Sequence, residues 1–574
     1  MLTKLTVRNF KLFDKVEIEL ADRVVFVGPN NSGKTSALQA LSIWNAGVRR
    51  WVEKRGAGNV PKERAGVTIN RRDLIAVPVP AANLLWRDLH VREGYREGDK
   101  TKTRNVLIEV DVEGIDNGKS WATKLEFDYA NEESFYCRSR VDPAGARYEV
   151  PPAAAEVRLA YLPPMSGLAA NETRLDEGAI AVRIGEGRTA EVLRNLCWQA
   201  LQRGAHHWKQ IVSRMESLFG VTIEDPRYIK ERGEVVMSFR TSSGIVLDLS
   251  SSGRGQQQTL LLLAHMAANP GAILLLDEPD AHLEVLRQRQ IYQVLTETAS
   301  ETSSQIIAAS HSEVLLNEAA GRDTVIAFIG RPHRIDDRGS QLLKALKDIG
   351  FEHYVQAEEA GWVLYLEGST DLAILRAFAT KLGHAAQAHL ERPFVQYVGN
   401  QPSQARHHFY GLREAKKHLV GFALYDRLDG ELAADPNLRQ RMWKRREIEN
   451  YLAQESTLLL YAESIGRERH GALFAYLWRQ EMERSLAEIS SALAALGKAD
   501  PQSPDLKVSE EFLVPLFRTF YEKLKLPDLM RKSDFHELAP HVPVKELDPE
   551  VATVLDEIVK VAESAKPQGS EPAG

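Results

Sequence analysis

Residues 23–44 read RVVFVGPNNSGKTSALQALSIW. A short apolar run opens the stretch and has the length of a buried strand. It runs into Gly28–Thr35, which fits the spacing GxxxxGK[ST], and SALQALSIW then continues at helical spacing. Strand, glycine-rich turn and helix in that order build an anion cradle. Backbone N–H groups of a turn made of Gly28, Asn30, Asn31, Ser32, Gly33 and Ser36 wrap phosphates, Lys34 reaches their outer oxygens, and Thr35 is placed to hold Mg²⁺. Upstream, LTKLTV and VEIEL alternate like strands.

Downstream stretches extend the same chemistry. AILLLDEPDAHL (272–283) is a second buried strand that ends in Asp277 and Glu278. A carboxylate at a strand tip can join the Mg²⁺ shell, and the next can orient an attacking water. LDLSSSGRGQQQTLLLLAHMA (247–267) is a Ser/Gly turn that opens a helix, and free N–H groups at such an end suit an anion. QIIAASHSEVLL (305–316) is a strand ending in Ser310-His311; after the other two motifs, His311 reads as a phosphate sensor.

P-loop, SSSGRGQQQ, LLLDEPDAHL and ASHS, in this order, resemble the ABC-type ATPase head of the SMC/RecF/OLD group. The resemblance implies ATP as ligand and Glu278 as the catalytic carboxylate. It further implies head dimers in which one subunit's signature turn, here Ser252, Gly253 and Gly255, closes on the other's nucleotide. SSSGRGQ departs from the transporter form LSGGQ, which leaves open which serine meets the γ-phosphate. Lys34 and Ser251 are 217 positions apart. No sustained heptads fill that interval, so a long-armed bridge is not expected. RTAEVLRNLCWQALQRGAHHWKQIVSRMESLF (188–219) reads as helical, and NVLIEVDVEG, ATKLEFDYA and RYEVPP as strands of an inserted sheet. TINRRDLIAVPVPAANLLWRDL (68–89) is expected to link nucleotide and insert.

The second half alternates strands and helices, which implies a parallel sheet. In WVLYLEGSTDLAILRAFATKLG (362–383), Glu367 sits at a strand tip and Asp371 in the first turn of a helix that Ser369 or Thr370 could cap. FVQYVGN is a strand, HHFYGLREAKKHLV a helix, and GFALYDRLDGE (421–431) a strand ending in Asp426 and Asp429. Carboxyl ends of parallel strands converge on one crevice, so Glu367 and Asp426 are expected to meet. EGSTD followed by DRLD resembles the TOPRIM domain, and such a domain after an ABC head is the layout of OLD-family nucleases, with relatives in Gabija-, PARIS- and retron-associated defence. The resemblance makes Glu367 the lead carboxylate, Asp371 an added acid and Asp426 the first of an aspartate pair. Asp429 stands one position late for the second: in an extended chain it would face away from Asp426, in a helical turn it would share its side. In MWKRREIENYL, Glu449 completes a second metal site or belongs to a surface charge cluster, and the adjoining Lys444, Arg445 and Arg446 could touch phosphates. Lys532, in LMRKSDFHELAPHVPVKELDPEV, matches a late lysine that the family places by the scissile phosphate, or is an ordinary solvated lysine.

Composition bounds the rest. A chain of 574 residues with 44% hydrophobic and 26% charged residues can bury several domain cores. The net charge of −6 means that any nucleic-acid surface is local. Cys137 and Cys197 lack metal-site neighbours and read as structural, in a reducing compartment. MLTKLTVRNF lacks a signal-peptide pattern and TLLLLAHMAANPGAILLL is too broken to span a bilayer. A cytoplasmic α/β protein with no membrane segment is expected. The expected layout is an ATPase head over 1–345 (P-loop 28–35, signature 250–257, Walker B strand and acids 273–278), a TOPRIM-like domain with helical additions over 346–560, and a disordered tail over 561–574.

Two functions fit the sequence. One is an ATP-gated, Mg²⁺- or Mn²⁺-dependent nuclease acting on nucleic acid, DNA ahead of RNA, in anti-phage defence. The other is an ATPase sensor or scaffold with a degenerate TOPRIM-like domain that assembles and releases or activates a partner of a defence system. Recombination mediation as in RecF fits the head but leaves 361–560 without a role.

Overall fold

The computed structural model describes residues 1–56, 66–97, 100–335 and 349–567. The chain divides into two compact units, Met1–Leu343 and Lys344–Gly574. The expected boundary at 345/346 lies outside the described residues. So does the end of the expected tail, from 568 onward. Its first part is not disordered: a helix, Pro549–Ser564, runs through residues 561–564, with Asp548 accepting a hydrogen bond from Glu550 N at its start.

Two sheets organise the first unit. Five strands are parallel, in the order Leu159–Leu162, Ile273–Asp277, Gln305–Ser310, Arg23–Val27 and Thr324–Ala327, and His333–Arg334 adds antiparallel to the last. Their near-continuous apolar runs follow from burial on both faces. Val24–Val27, Leu274–Leu276 and Ile306–Ala309 are all buried. The second sheet is antiparallel, in the order Phe13–Glu19, Leu2–Phe10, Ile108–Asp116, Lys119–Asn131, Ser134–Ser139 and Val67–Asn70. Leu5 and Val7 of this sheet and Leu38, Leu41 and Trp44 of helix Lys34–Arg55 belong to one core.

This corrects one expectation. The strands around 108–131 do not form a sheet of their own; they pair with the N-terminal hairpin, Val7 opposite Val110. RYEVPP is not a strand: Arg147 and Val150 make isolated bridges, Arg147 to Val141, and Pro151 and Pro152 lack the N–H a ladder needs. The expected helical stretch forms as Leu193–Arg203 and Ala205–Phe219, broken at Gly204. Residues 68–89 form a short strand end and 3₁₀ turns.

The second unit holds a four-stranded parallel sheet in the order Val395–Tyr397, Trp362–Leu366, Val420–Tyr425, Leu438–Met442. The chain leaves Trp362–Leu366 on one side and returns on the other. The sheet therefore has a switch point between its two central strands, where a crevice opens at their carboxyl ends. Helices Glu455–His470, Ala472–Ala495 and Val514–Lys523 contribute Tyr461, Trp478 and Phe517 to the large core that also holds Leu364 and Phe422. Among the described residues no helix is long and apolar enough to cross a membrane.

Candidate functional site

The phosphate-binding turn is held by backbone that only glycine adopts easily. Gly33 has φ 102°, and a Cβ there would lie 2.7 Å from the Phe13 ring. Gly28, at φ 157°, would meet the Phe328 carbonyl oxygen at 2.7 Å. Asn31 also takes a positive φ, 62°. Helix Lys34–Arg55 begins at once, so its first N–H groups face the turn. Lys34 curls back, its Nζ donating to Gly28 O at 2.7 Å and Pro29 O at 2.8 Å. Burial lowers its pKa, against the pull of Glu278, Asp277 and Asp280. Ser32 Oγ is buried without a partner, an orphan that a phosphate oxygen would satisfy. Asn30, Asn31 and Thr35 are exposed, whereas Ser36 is buried in the helix.

Asp277 ends the buried strand Ile273–Asp277 with both carboxylate oxygens engaged. Thr35 Oγ1 donates to Oδ1 at 3.2 Å, and Tyr161 OH donates to Oδ2 at 3.2 Å. Burial pushes this carboxyl up, and its hydrogen bond from Thr35 pulls it back. Thr35 and Asp277 are thus adjacent oxygen donors, a hard set suited to Mg²⁺ on a nucleotide. Glu278 follows with φ 49°, its N–H donating to Ala309 O at 2.8 Å. That bond ties it to the neighbouring strand and leaves Glu278 Oε1 3.5 Å from His311 Nδ1. Asp280 is buried, faces Ser310, and has one oxygen, Oδ1, without a partner.

The signature turn lies before helix Arg254–Ala268. Ser252 Oγ donates to Leu249 O at 2.7 Å, and Gly253 caps the helix. Gly255 packs against Leu283 and the His282 carbonyl. Among the described residues no hydrogen bond joins Ser252, Gly253 or Gly255 to residues 28–36.

In the second unit, Glu367 and Asp426 follow the two central strands at the switch point, close enough for Glu367 to push the Asp426 carboxyl up. Burial first, then Glu367, Asp371 and Glu449, drive the Asp426 pKa strongly upward. Asp371 reaches back to accept from Gly368 N at 3.1 Å, so this acid, rather than Ser369 or Thr370, caps helix Ser369–Leu382. Burial pushes Asp371 up to about 6, and Glu449, only 4% exposed, up to about 8 with Glu447 and Asp371 adding to it. The negative charge gathered around Asp426, Asp371 and Glu449 is a field that a divalent cation would relieve. Among the described residues no group of three or more His, Cys, Asp or Glu side chains is gathered closely enough to hold a metal ion.

Asp429 is not part of this group. Its side chain is fully exposed and lies 3.8 Å from Arg446, because the segment after Tyr425 runs outward as loop instead of turning helically. Lys532 is near the cluster: it pairs with Glu510 at 3.5 Å and its charge counters the upward shifts of Glu447 and Glu449. The sequence reading missed Lys507, which pairs with Glu510 at 2.8 Å and feels both Glu447 and Glu367. It also left Glu447 without a role. That carboxylate is buried and accepts bonds from Ser509 N and, at 3.0 Å, from Ser509 Oγ. Tyr161 was missed as well; a single tyrosine on an edge strand carries no motif.

Two family models match within the first unit. The family "AAA ATPase domain" matches residues 1–47, and "AAA domain, putative AbiEii toxin, Type IV TA system" matches residues 163–317. The two spans contain the phosphate turn, the signature helix, Asp277, Glu278 and His311. No curated protein matches the chain. Among solved structures, an SMC head bound to the C-terminal winged-helix domain of ScpA is 15% identical, with 58% of this chain and 97% of that chain covered and a TM-score of 0.36. The SMC head domain from Thermotoga maritima is 17% identical, with 58% and 98% covered and a TM-score of 0.30. The Pyrococcus furiosus Smc head with an extended coiled coil, bound to the C-terminal domain of ScpA, is 13% identical, with 61% and 99% covered and a TM-score of 0.36. Likenesses this distant say nothing about what this chain binds.

The phosphate turn and the two family matches mark an ATPase domain of AAA type within the first unit.

Proposed function

We propose that this ATPase drives a metal-dependent nuclease of OLD type, whose TOPRIM-like second unit cleaves phosphodiester bonds in nucleic acid. The observation that carries the reading is the meeting of Glu367 and Asp426 at the sheet's switch point, within the field of Asp371 and Glu449. Glu367, Asp426, Asp371 and Glu449 would hold one or two Mg²⁺ or Mn²⁺ ions there. A bound divalent ion supplies an activated water and neutralises charge on the leaving oxygen. Lys532 and Lys507 bring positive charge beside these acids in an otherwise acidic chain, and would hold the phosphate backbone.

In the ATPase unit, Thr35 and Asp277 would hold Mg²⁺ on the nucleotide, Glu278 would orient water at the γ-phosphate, and His311 would sense it. Ser252, Gly253 and Gly255 are free to meet a second copy's nucleotide. Val285 and Leu286 after Asp280, and Ile245 and Val246 before the signature, are exposed large hydrophobics that a second head would cover. The setting is cytoplasmic defence against foreign DNA, with a defence-system protein as a further partner. Incubation of purified protein with plasmid in Mg²⁺, with and without ATP and EDTA, tests the reading; cleavage that EDTA abolishes is expected.

The exposed Asp429 favours a second reading, an ATP-driven sensor or scaffold with a degenerate metal site. It predicts ATP turnover and assembly with no cleavage in Mg²⁺ or Mn²⁺.

A further inference from the structure

One element of the first unit stands apart from both of its large sheets. Arg92–Glu97 and Lys100–Asn105 pair antiparallel as a ribbon that joins no third strand among the described residues. Its root is fixed. Val106 N donates to Val91 O at 3.0 Å, and Trp86 Nε1 donates to Val106 O at 2.6 Å. Trp86, Val91 and Val106 pack on the core that holds helix Lys34–Arg55. Asn105 Nδ2 adds a bond to Asp128 Oδ1 at 2.8 Å. Beyond that root the ribbon covers nothing: Arg92, Gly94, Tyr95, Arg96 and residues 101–105 are all exposed. A bare two-stranded ribbon is marginal in water, so one held out from an anchored root calls for something that it meets.

The register sorts the ribbon's charge by face. Residues opposite each other across an antiparallel ladder share a face, and neighbours along a strand alternate. On one face Glu93 stands opposite Arg104, and Tyr95 opposite Lys102. Arg104 pairs with Glu93, and its guanidinium lies 6.0 Å from the centre of the Tyr95 ring. That face answers its own charge. The other face sets Arg92 opposite Asn105, Gly94 opposite Thr103 and Arg96 opposite Thr101. It carries no acid, and among the described residues neither Arg92 nor Arg96 makes an ion pair. Lysine would be enough to guard an exposed strand against pairing, and solvated surface normally mixes both signs. Forked guanidiniums of one sign, with threonine hydroxyls between them, suit phosphate oxygens.

The spacing narrows the partner. Arg92 and Arg96 stand four residues apart on one strand, about 13 Å along the ribbon. The major groove of B-form DNA is about 12 Å wide and admits a two-stranded ribbon, so the two guanidiniums can reach the backbones on either side. Gly94, midway between them, has no side chain to hold the ribbon off the groove. The major groove of an RNA duplex is too deep and narrow for this fit.

We propose that the Arg92/Arg96 face of this ribbon is a docking site for double-stranded DNA, held through its backbone phosphates. The proposal goes beyond the cleavage chemistry of the second unit and does not need it: an ATPase that only senses DNA would dock it in the same way.

The test is fluorescence anisotropy of a labelled DNA duplex titrated with the full chain in EDTA, where no metal-dependent cleavage occurs, over a series of salt concentrations. Wild type should bind, with affinity falling as salt rises. Arg92→Gln and Arg96→Gln should each weaken binding and reduce the slope of log affinity against log salt by about 0.9, the share of one phosphate contact. Lys102→Gln removes the same charge from the other face and should leave the slope as it is. All three positions are exposed, so the melting temperatures should match wild type. Absence of binding by wild type overturns the proposal. So does a wild-type slope in both arginine variants, which would put the DNA elsewhere on the chain. An equal loss in Lys102→Gln would overturn it too, by reducing the effect to overall charge. Competition by duplex RNA or polyglutamate as strong as by unlabelled DNA would make the partner any polyanion and likewise overturn it. Plasmid cleavage and DNA affinity both unaltered in the double variant would remove this docking face and leave the nuclease reading in place.

Discussion

Glu367 and Asp426 lie 59 positions apart in sequence, yet they follow adjacent parallel strands, close enough that Glu367 pushes the Asp426 carboxyl up. Two carboxylates in such contact share a proton unless a cation separates them. The consequence is a pH-dependent stability. Burial pushes Asp371 up to about 6 and Glu449 up to about 8, and Asp426 is driven up more strongly still. Folded pKa values above the unfolded ones favour the protonated fold. That contribution is complete below about pH 4, the unfolded carboxylate range, and is lost as pH rises through the folded values. In EDTA the melting temperature should therefore fall from pH 5 to pH 9, and Asp426→Asn should flatten the profile and raise the pH 8 value. Fluorescence-monitored melts check this; a flat wild-type profile would contradict it.

Asp429 should be dispensable. Its side chain is solvated and, among the described residues, pairs with Arg446 alone, at 3.8 Å, so Asp429→Ala should change stability by under about 0.5 kcal/mol. Cleavage should persist in that variant and be lost in Asp371→Asn. The reverse pattern in a plasmid assay would show that the loop folds inward to work.

Glu447 is predicted to matter for folding and not for chemistry. Its carboxylate accepts two bonds from Ser509 and is buried. Removing it leaves buried donors unpaired, at about 1–3 kcal/mol each. Glu447→Ala should lower the denaturation midpoint of the second unit, and ATP turnover by the first unit should be unchanged. A variant with wild-type stability and no cleavage would instead place Glu447 among the metal-binding acids.

Tyr161→Phe removes one of two hydrogen bonds to Asp277. A bond to a charged group contributes about 1.5–3 kcal/mol. The Mg²⁺ concentration for half-maximal ATP turnover should shift, while Lys34→Ala should cut turnover by a factor on the order of 10². Unchanged Mg²⁺ dependence in Tyr161→Phe would separate that tyrosine from the nucleotide site.

Much of the first unit was legible because its chemistry is local. Gly28 and Gly33 sit where the backbone turns sharply against Phe328 and Phe13, and the flanking strand and helix are apolar at the right periods. What the sequence hid is long-range. Val7 pairs with Val110 across the antiparallel sheet, and alternation alone cannot name a strand's partner. Strand Leu438–Met442 was missed because LRQRM has three polar residues and lies at the sheet's edge, where burial is partial. Asp429 was ambiguous because a three-residue spacing converges only in a helical turn, and the loop after Asp426 is not one. Lys507 and Glu447 meet the acids only through tertiary packing.

The central claim is most directly tested by cleavage of supercoiled plasmid and of tRNA in Mg²⁺ and ATP, with wild type beside Glu367→Gln and Asp426→Asn. Wild type should cut, DNA ahead of RNA, and both variants should lose cutting while still hydrolysing ATP. Cutting that survives in both variants, or its absence in wild type with ATP turnover intact, would contradict a metal nuclease built on this pair.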